Sequence, residues 1–393
     1  MLKVYNSLSR KKEEFRADNV GIYVCGITPY DITHVGHAFT YVFFDVVVRY
    51  LRFNGFKVKY IQNITDIDDD ILKRSRELNE NWRELAEKNS QLLFNDMKWL
   101  NNLQPDNYPR STDHIDDMIE FIKKLLKRGY AYEKKGSVYF SIDKDKEYGK
   151  LSRLSKKEML IIANERGNFP DDPNKQDPLD FVLWQKQKRG EPSWDSPWGK
   201  GRPGWHIECS AMSMKYLGST IDIHGGGADL EFPHHESSIA QSEKLTGKPF
   251  VRYWMHTAMV RYEGEKMSKS LGNMVFIKEL RDYSPNVVRL LLLSHYYRKP
   301  WEFNKEELDK FKAINENFRQ VWLKQSDQGE EFDYSSYSKR FFDAMDNDFN
   351  TSEAVDALSE LSEDILRSEN NVAGAKGFLN IAFNILGLVV EYV

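Results

Sequence analysis

Cysteine is nearly missing: the 393 residues contain only two, Cys25 and Cys209. A disulfide-stapled secreted scaffold is thereby excluded, because such folds need several bridges. One bridge between the two stays open on paper, but a large intracellular chain seldom carries one. Each cysteine therefore invites its own explanation, as a small buried hydrophobe or as a ligand. No apolar run approaches the roughly 18–20 residues of a membrane span. The opening MLKVYNSLSRKKEEF lacks the apolar core of a signal peptide. A cytoplasmic protein with no membrane partner is expected. An excess of one charge is lacking too: 56 Lys and Arg stand against 60 Asp and Glu, a net charge of -4. That excludes a globally basic nucleic-acid binder and leaves room for a local basic face. There is no internal repeat and no low-complexity tract.

Apolar residues, at 40% with 13% aromatic, suffice for a large core and two or three domains. The run VGIYVCGITPY (20–30) reads as a buried strand ending in a Gly/Thr/Pro turn. DITHVGHAFTYVFFDVVVRYLRFNG follows with the length and apolar density of a helix, and Gly55 sits where a C-terminal cap belongs. KVKYIQNIT (57–65) is a second buried strand. Strand, helix and strand in this order form a βαβ unit and predict a parallel sheet. Ligands of such sheets bind beyond the carboxyl ends of the strands, where Cys25–His37 and Asn63–Asp70 fall. The acidic TDIDDDIL (65–72) suits a helix N-terminus better than a metal site. Residues 82–135 read as charged helices, 135–142 as a strand, and the Gly-, Pro-, Asp- and Trp-rich 165–204 as mostly loop. STIDIHGGGADL (219–230) is strand then Gly-rich loop, FPHHESSIAQSEKLTGK a helix, and YWMHTAMV (253–260) a strand. From 275 onward the pattern is helical.

Two short motifs carry the chemistry. THVGH (Thr33–His37) lies between strand and helix, where unpaired helix N–H groups meet phosphate. Gly36 lets a nucleotide approach the backbone, and His34 and His37 can donate hydrogen bonds to phosphate oxygens. GEKMSKSLGN (Gly264–Asn273) sets Lys266 and Lys269 in a loop, able to neutralise a leaving pyrophosphate. Either motif alone suits an ordinary surface turn; together, around one parallel sheet, they point to nucleotide chemistry.

HVGH and KMSKS resemble the two signatures of class I aminoacyl-tRNA synthetases. CGITPYD, NITDIDD, GRPGWHIECSAM and DIHGGGADLEFPHHE resemble the cysteinyl branch of that family and its relative, the cysteine ligase of mycothiol synthesis. The likeness covers roughly residues 1–320, and DAMDNDFNTSEA (343–354) resembles the start of the family's helical domain. It implies an α/β fold: a Rossmann-like parallel-sheet catalytic domain over 1–274, with an insertion at about 108–200. A helical stem-contact or linker region (275–320) and a C-terminal helical bundle (321–393), short for the family, would follow. It implies activation of L-cysteine with ATP to cysteinyl-adenylate, then transfer to tRNA(Cys), with Mg2+ accompanying ATP. Catalysis would be positioning and charge stabilisation, carried by His34, His37, Lys266 and Lys269.

The resemblance also assigns both cysteines. Cys25, Cys209 and His234 match the ligands of a zinc ion in the amino-acid pocket. Two thiolates and an imidazole suit zinc and leave an open position. A substrate thiolate on zinc would separate cysteine from the near-isosteric serine, which shape alone does poorly. The synthetase pattern places a glutamate four residues after the zinc histidine; here that residue is Ser238. Glu236 is two residues on and points to another helix face, so only three protein ligands are expected. Thr65 matches a threonine near the substrate amine, and Trp205 a wall of the cysteine pocket. Gly225, Gly226, Gly227 and Asp229 match the loop holding adenosine, with Asp229 toward the ribose. A structural role for each glycine, and packing for Trp205, stay open beside these. For tRNA, KELRDYSPNVVR (278–289), HYYRKPW (295–301) and the helices from 304 on are candidate contacts. Ser238 and the end at Val393 also suit an amino-sugar acceptor, the alternative to tRNA. An inactive tRNA- or cysteine-binding paralogue fits the intact motifs least. A monomer is favoured.

Overall fold

A short antiparallel hairpin, β1 (Lys3–Asn6) and β2 (Lys11–Glu14), precedes the strand–helix–strand unit that the apolar runs call for. That unit is β3 (Asn19–Ile27), α1 (Val35–Phe53) and β4 (Lys57–Ile64) in the computed structural model, which describes residues 1–267, 272–325 and 328–392. α1 is buried on nearly all sides from Val35 to Leu51, which explains its apolar density without a clean amphipathic period. Asn54 caps it, and Gly55 follows in the left-handed region at φ +86°. α2 (Asp69–Leu78) starts where the acidic run placed it, with the Asp68 side chain accepting from the Asp70 amide.

The chain then leaves the sheet. α3 (Trp82–Trp99) and α4 (Ile115–Lys127) lead to β5 (Ala131–Lys134) and β6 (Ser137–Phe140). α5 (Lys156–Glu165) separates these from β7 (Phe181–Lys186) and β8 (Gly201–Pro203). The four strands form one antiparallel sheet in the order β5-β6-β7-β8. Two strands thus lie where the composition of 165–204 reads as mostly loop. Their signal is close approach rather than propensity. A Cβ on Gly201 would stand 2.3 Å from the Gln185 carbonyl oxygen and 2.4 Å from the Trp184 indole nitrogen, so β8 pairs only because that residue has no side chain.

α6 (Trp205–Leu217) returns the chain to β9 (Ile221–Gly227), and α7 (Glu236–Thr246) to β10 (Val251–Thr257). The main sheet is parallel throughout, ordered β10-β9-β3-β4. β11 (Val260–Tyr262) and β12 (Glu265–Lys266) lead toward the second motif. Beyond 275 the described structure is helical apart from the two-residue β13 (Trp301–Glu302): α8 (Pro285–Leu293), α9 (Glu307–Leu323), α10 (Ser335–Asp346), α11 (Thr351–Arg367) and α12 (Ala373–Leu386). One apolar core runs from β3 and α1 into these helices. A buried ion pair crosses it: Arg289 of α8 meets Asp45 of α1, and its guanidinium also donates to the carbonyls of Leu386 (2.5 Å) and Leu100 (2.8 Å).

Candidate active site

The carboxyl ends of β3, β4 and β9 open on a cavity of about 1380 Å³ that reaches under the antiparallel sheet. The N-terminus of α1 faces it. His34 is the cap of that helix: its Nδ1 accepts from the amides of Gly36 (3.0 Å) and His37 (3.4 Å). An accepting Nδ1 assigns the proton of the neutral ring to Nε2. His37 stacks on His34 with centroids 3.7 Å apart, and both line the cavity with Gly36. Thr65 and Trp205 line it as well. The Thr65 hydroxyl accepts from Asn63 Nδ2 at 3.2 Å, and Trp205 stacks on His234 at 4.5 Å.

Cys25 on β3, Cys209 on α6 and His234 ahead of α7 converge although they are distant in sequence. Their ligand atoms all lie within 4.8 Å of one another, and all three residues line the cavity. The sulfurs are 3.6 Å apart. Burial pushes Cys25 up, and Cys209 adds to that by hydrogen bonding and charge. Burial also acts upward on Cys209, but the hydrogen bond with Cys25 and the neighbouring His234 outweigh it and hold Cys209 well below the usual thiol range. Ser238 adds no ligand atom toward them: its hydroxyl donates to the His234 carbonyl at 2.9 Å. Glu236 turns away and accepts from the Leu151 and Ser152 amides.

A second group shares Cys25 with His224 and His235 within the same 4.8 Å limit, but neither histidine lines the cavity. Sequence reasoning missed these residues. Ser7, His256, His235 and Cys25 form a hydrogen-bonded chain with steps of 2.8, 2.8 and 3.2 Å. With neutral rings the protons all run one way along it, and a Cys25 sulfur that accepts, as it would when holding a metal ion, sets the direction from Ser7 to sulfur. The links come from a hairpin loop, β10, the turn before α7, and β3. The one signal was histidines in DIHGGG and WMHT, which lie on adjacent parallel strands two register positions apart.

Burial, aided by Arg10, pushes His256 down to about 3 from its ordinary 6.5. Below pH 6.5 the unfolded chain takes up a proton that the folded ring refuses until about pH 3. Stability through this ring is thus full above pH 6.5 and lost as pH falls. At pH 5 the loss should be about 2 kcal/mol, at ~1.4 kcal/mol per pH unit. Urea unfolding at pH 7 and pH 5 measures it. Burial lowers His206, His224 and His235 as well, so the His256 share is the part of the loss that His256→Asn removes, and equal slopes in the two proteins would contradict this account.

The glycine loop divides. Gly227 and Asp229 line the cavity; Gly225 and Gly226 are buried beneath it. A Cβ on Gly225 would stand 2.1 Å from the Phe44 ring, so that glycine lets β9 lie against α1. Asp229 pairs with Arg166 at 3.1 Å, a partner that follows α5 in the insertion. Lys269 lies outside the described residues, as does the side chain of Lys266; the backbone of Lys266 ends β12.

Comparison with known proteins identifies the family of this chain. The model of the tRNA synthetases class I (C) catalytic domain matches residues 11–313, and that of the DALR domain matches 340–391. The chain belongs to the cysteine--tRNA ligase family of class I tRNA synthetases. It is similar to the cysteine--tRNA ligase of Thermococcus onnurineus, 46% identical over all of this chain and 87% of that one. The ligase of Pyrococcus abyssi is 47% identical over the same shares, and that of Thermodesulfovibrio yellowstonii 48% over 93% of this chain and 79% of its own. Among solved structures, Mycobacterium tuberculosis methionyl-tRNA synthetase in complex with methionyl-adenylate superposes with a TM-score of 0.67. It is 13% identical and covers 96% of this chain and 89% of its own, a likeness of fold. Among the described residues, no helix is long and apolar enough to cross a membrane.

Proposed function

We propose that this synthetase joins L-cysteine to ATP as cysteinyl-adenylate, releasing pyrophosphate, and transfers the cysteinyl group to tRNA(Cys). The observation that carries this is one cavity lined both by the Cys25–Cys209–His234 group and by the N-terminus of α1. The residues suit a zinc ion: two buried thiols and an imidazole within ligand reach of each other. Bound there, zinc would supply a Lewis-acid site that prefers a substrate thiolate to the hydroxyl of serine.

The remaining roles belong to the chain itself. The amides at the start of α1 and the His34 Nε2 proton hold ATP phosphates, with His37 stacked beside them. Gly227 and Asp229 take adenosine, Thr65 the substrate amine, and Trp205 the wall behind it. Lys266 and Lys269 follow the pyrophosphate, and Mg2+ accompanies ATP. Binding in this arrangement aligns the cysteine carboxylate with the α-phosphate, so positioning and charge supply the rate. Residues 1–274 form the catalytic unit, 275–320 the connection and 321–393 the helical bundle that offers tRNA contacts. The relatives reported above are all cysteine--tRNA ligases, which favours tRNA over the amino-sugar acceptor.

Cysteine-dependent ATP–pyrophosphate exchange tests the first step, and charging of tRNA(Cys) the second. Exchange with no charging would overturn the tRNA assignment. No exchange would overturn the activation.

A further inference from the structure

We infer that Glu208 supplies the negative charge that holds the α-ammonium group of bound cysteine, acting beside the Thr65 hydroxyl. The inference rests on the reading of this cavity as a cysteine-activating site. An amino acid brings three polar handles into such a pocket: a carboxylate that must meet ATP, a side-chain sulfur, and an ammonium. A cation taken out of water needs a partner there, or binding pays the desolvation in full.

The carboxylates of the cavity are mostly committed. Asp229 is paired with Arg166, and Asp69 with Arg202 and Lys188. Asp68 caps α2 through the Asp70 amide at 2.6 Å. Glu208 is different. It is 1% exposed, lines the cavity, and among the described residues has no Lys, Arg or His within ion-pair distance. Its neighbours are hydroxyls: Ser111 donates to Oε2, and the Thr65 side chain is close enough to favour the carboxylate. Burial pushes the Glu208 carboxyl well above the usual carboxylate range, since a buried carboxylate with only neutral partners is costly, and an arriving ammonium is what favours its ionised form.

Its position suits the ligand. Trp205, Glu208 and Cys209 are spaced i, i+3 and i+4 on α6 and so share a face. In cysteine the amine and the sulfur are borne on adjacent carbons. A counter-charge for the amine must therefore stand next to the sulfur site, as Glu208 stands next to Cys209. Thr65, which accepts from Asn63, lines the cavity beside Glu208.

The test compares cysteine with 3-mercaptopropionate, the same molecule without its amine, by calorimetric binding to the zinc-loaded full chain. The wild-type protein should bind cysteine at least about 100-fold more tightly. Glu208→Gln keeps the shape and a hydrogen bond to Ser111. It should lower that ratio by about 10-fold or more, through weaker cysteine binding alone, with ATP affinity and zinc content unchanged. Should Glu208→Gln not fold, Glu208→Asp sets the charge back by one methylene and should lower the ratio about threefold. An unchanged ratio, equal weakening of both ligands, or a wild-type protein indifferent to the amine would overturn the inference alone. A wild-type protein that binds no cysteine would overturn it together with the activation reading.

Discussion

Cys209→Ser should empty the metal site and remove the preference for cysteine. Of the two thiols, Cys209 is the one whose ionisation is favoured, by its hydrogen bond with Cys25 and by His234. Serine keeps the size of the side chain but offers a hydroxyl that does not ionise near neutral pH, so a soft anionic donor is replaced by a neutral hard one. Zinc bound by the isolated protein should fall from about one ion per chain to near zero. Cysteine-dependent pyrophosphate exchange should fall by ~10²-fold or more in kcat/KM, about 3 kcal/mol or more of transition-state binding. Discrimination against serine should collapse toward what shape alone allows. His235→Ala makes the informative contrast. It removes the outer hydrogen bond to Cys25 and none of the three ligands, so zinc affinity should fall by about 10–100-fold without vanishing. Retained zinc and unchanged discrimination in Cys209→Ser would refute the site.

These expectations depend unequally on sequence and structure. The convergence of Cys25, Cys209 and His234 was legible only through the motifs around them, whose family resemblance groups three residues far apart in the chain. The βαβ unit was legible because the strand at 19–27 and the helix at 35–53 are both long and apolar, with Gly55 marking the stop. β7 and β8 were not, since Asp, Pro and Gly dominate their surroundings and β8 depends on a glycine that lets two backbones touch. The chain Ser7–His256–His235–Cys25 was hidden for another reason. Each residue is ordinary in its own segment, and only the sheet order β10-β9-β3 brings them together. Gly225 shows the converse: its motif reads as nucleotide binding, while its place against Phe44 is a matter of packing.

The ion pair between Asp45 and Arg289 was invisible in the sequence for the same topological reason, and it should be the costliest polar contact to break. Both side chains are buried, at 2% and 1% exposure. Asp45 accepts from Arg289, from Arg49 at 2.8 Å and from the Leu103 amide at 2.7 Å. Arg289 spends its other donors on Leu386, Leu100 and Asn102. The pair thus pins the helix that carries His34 and His37 to the end of α12. The two halves are not equivalent. Asp45→Asn preserves shape and the acceptor for Leu103, yet strands a buried guanidinium whose proton affinity burial already lowers to about 10. That substitution should cost about 3–5 kcal/mol in urea unfolding. Arg289→Met should cost less, because Arg49 still faces Asp45 and the lost donors leave carbonyls rather than a charge unmatched. Combining the two should recover part of the Asp45→Asn loss, since the stranded cation is then gone. A cost below about 1 kcal/mol for Asp45→Asn, or strict additivity in the double variant, would show that the pair is not what joins α1 to the helical region.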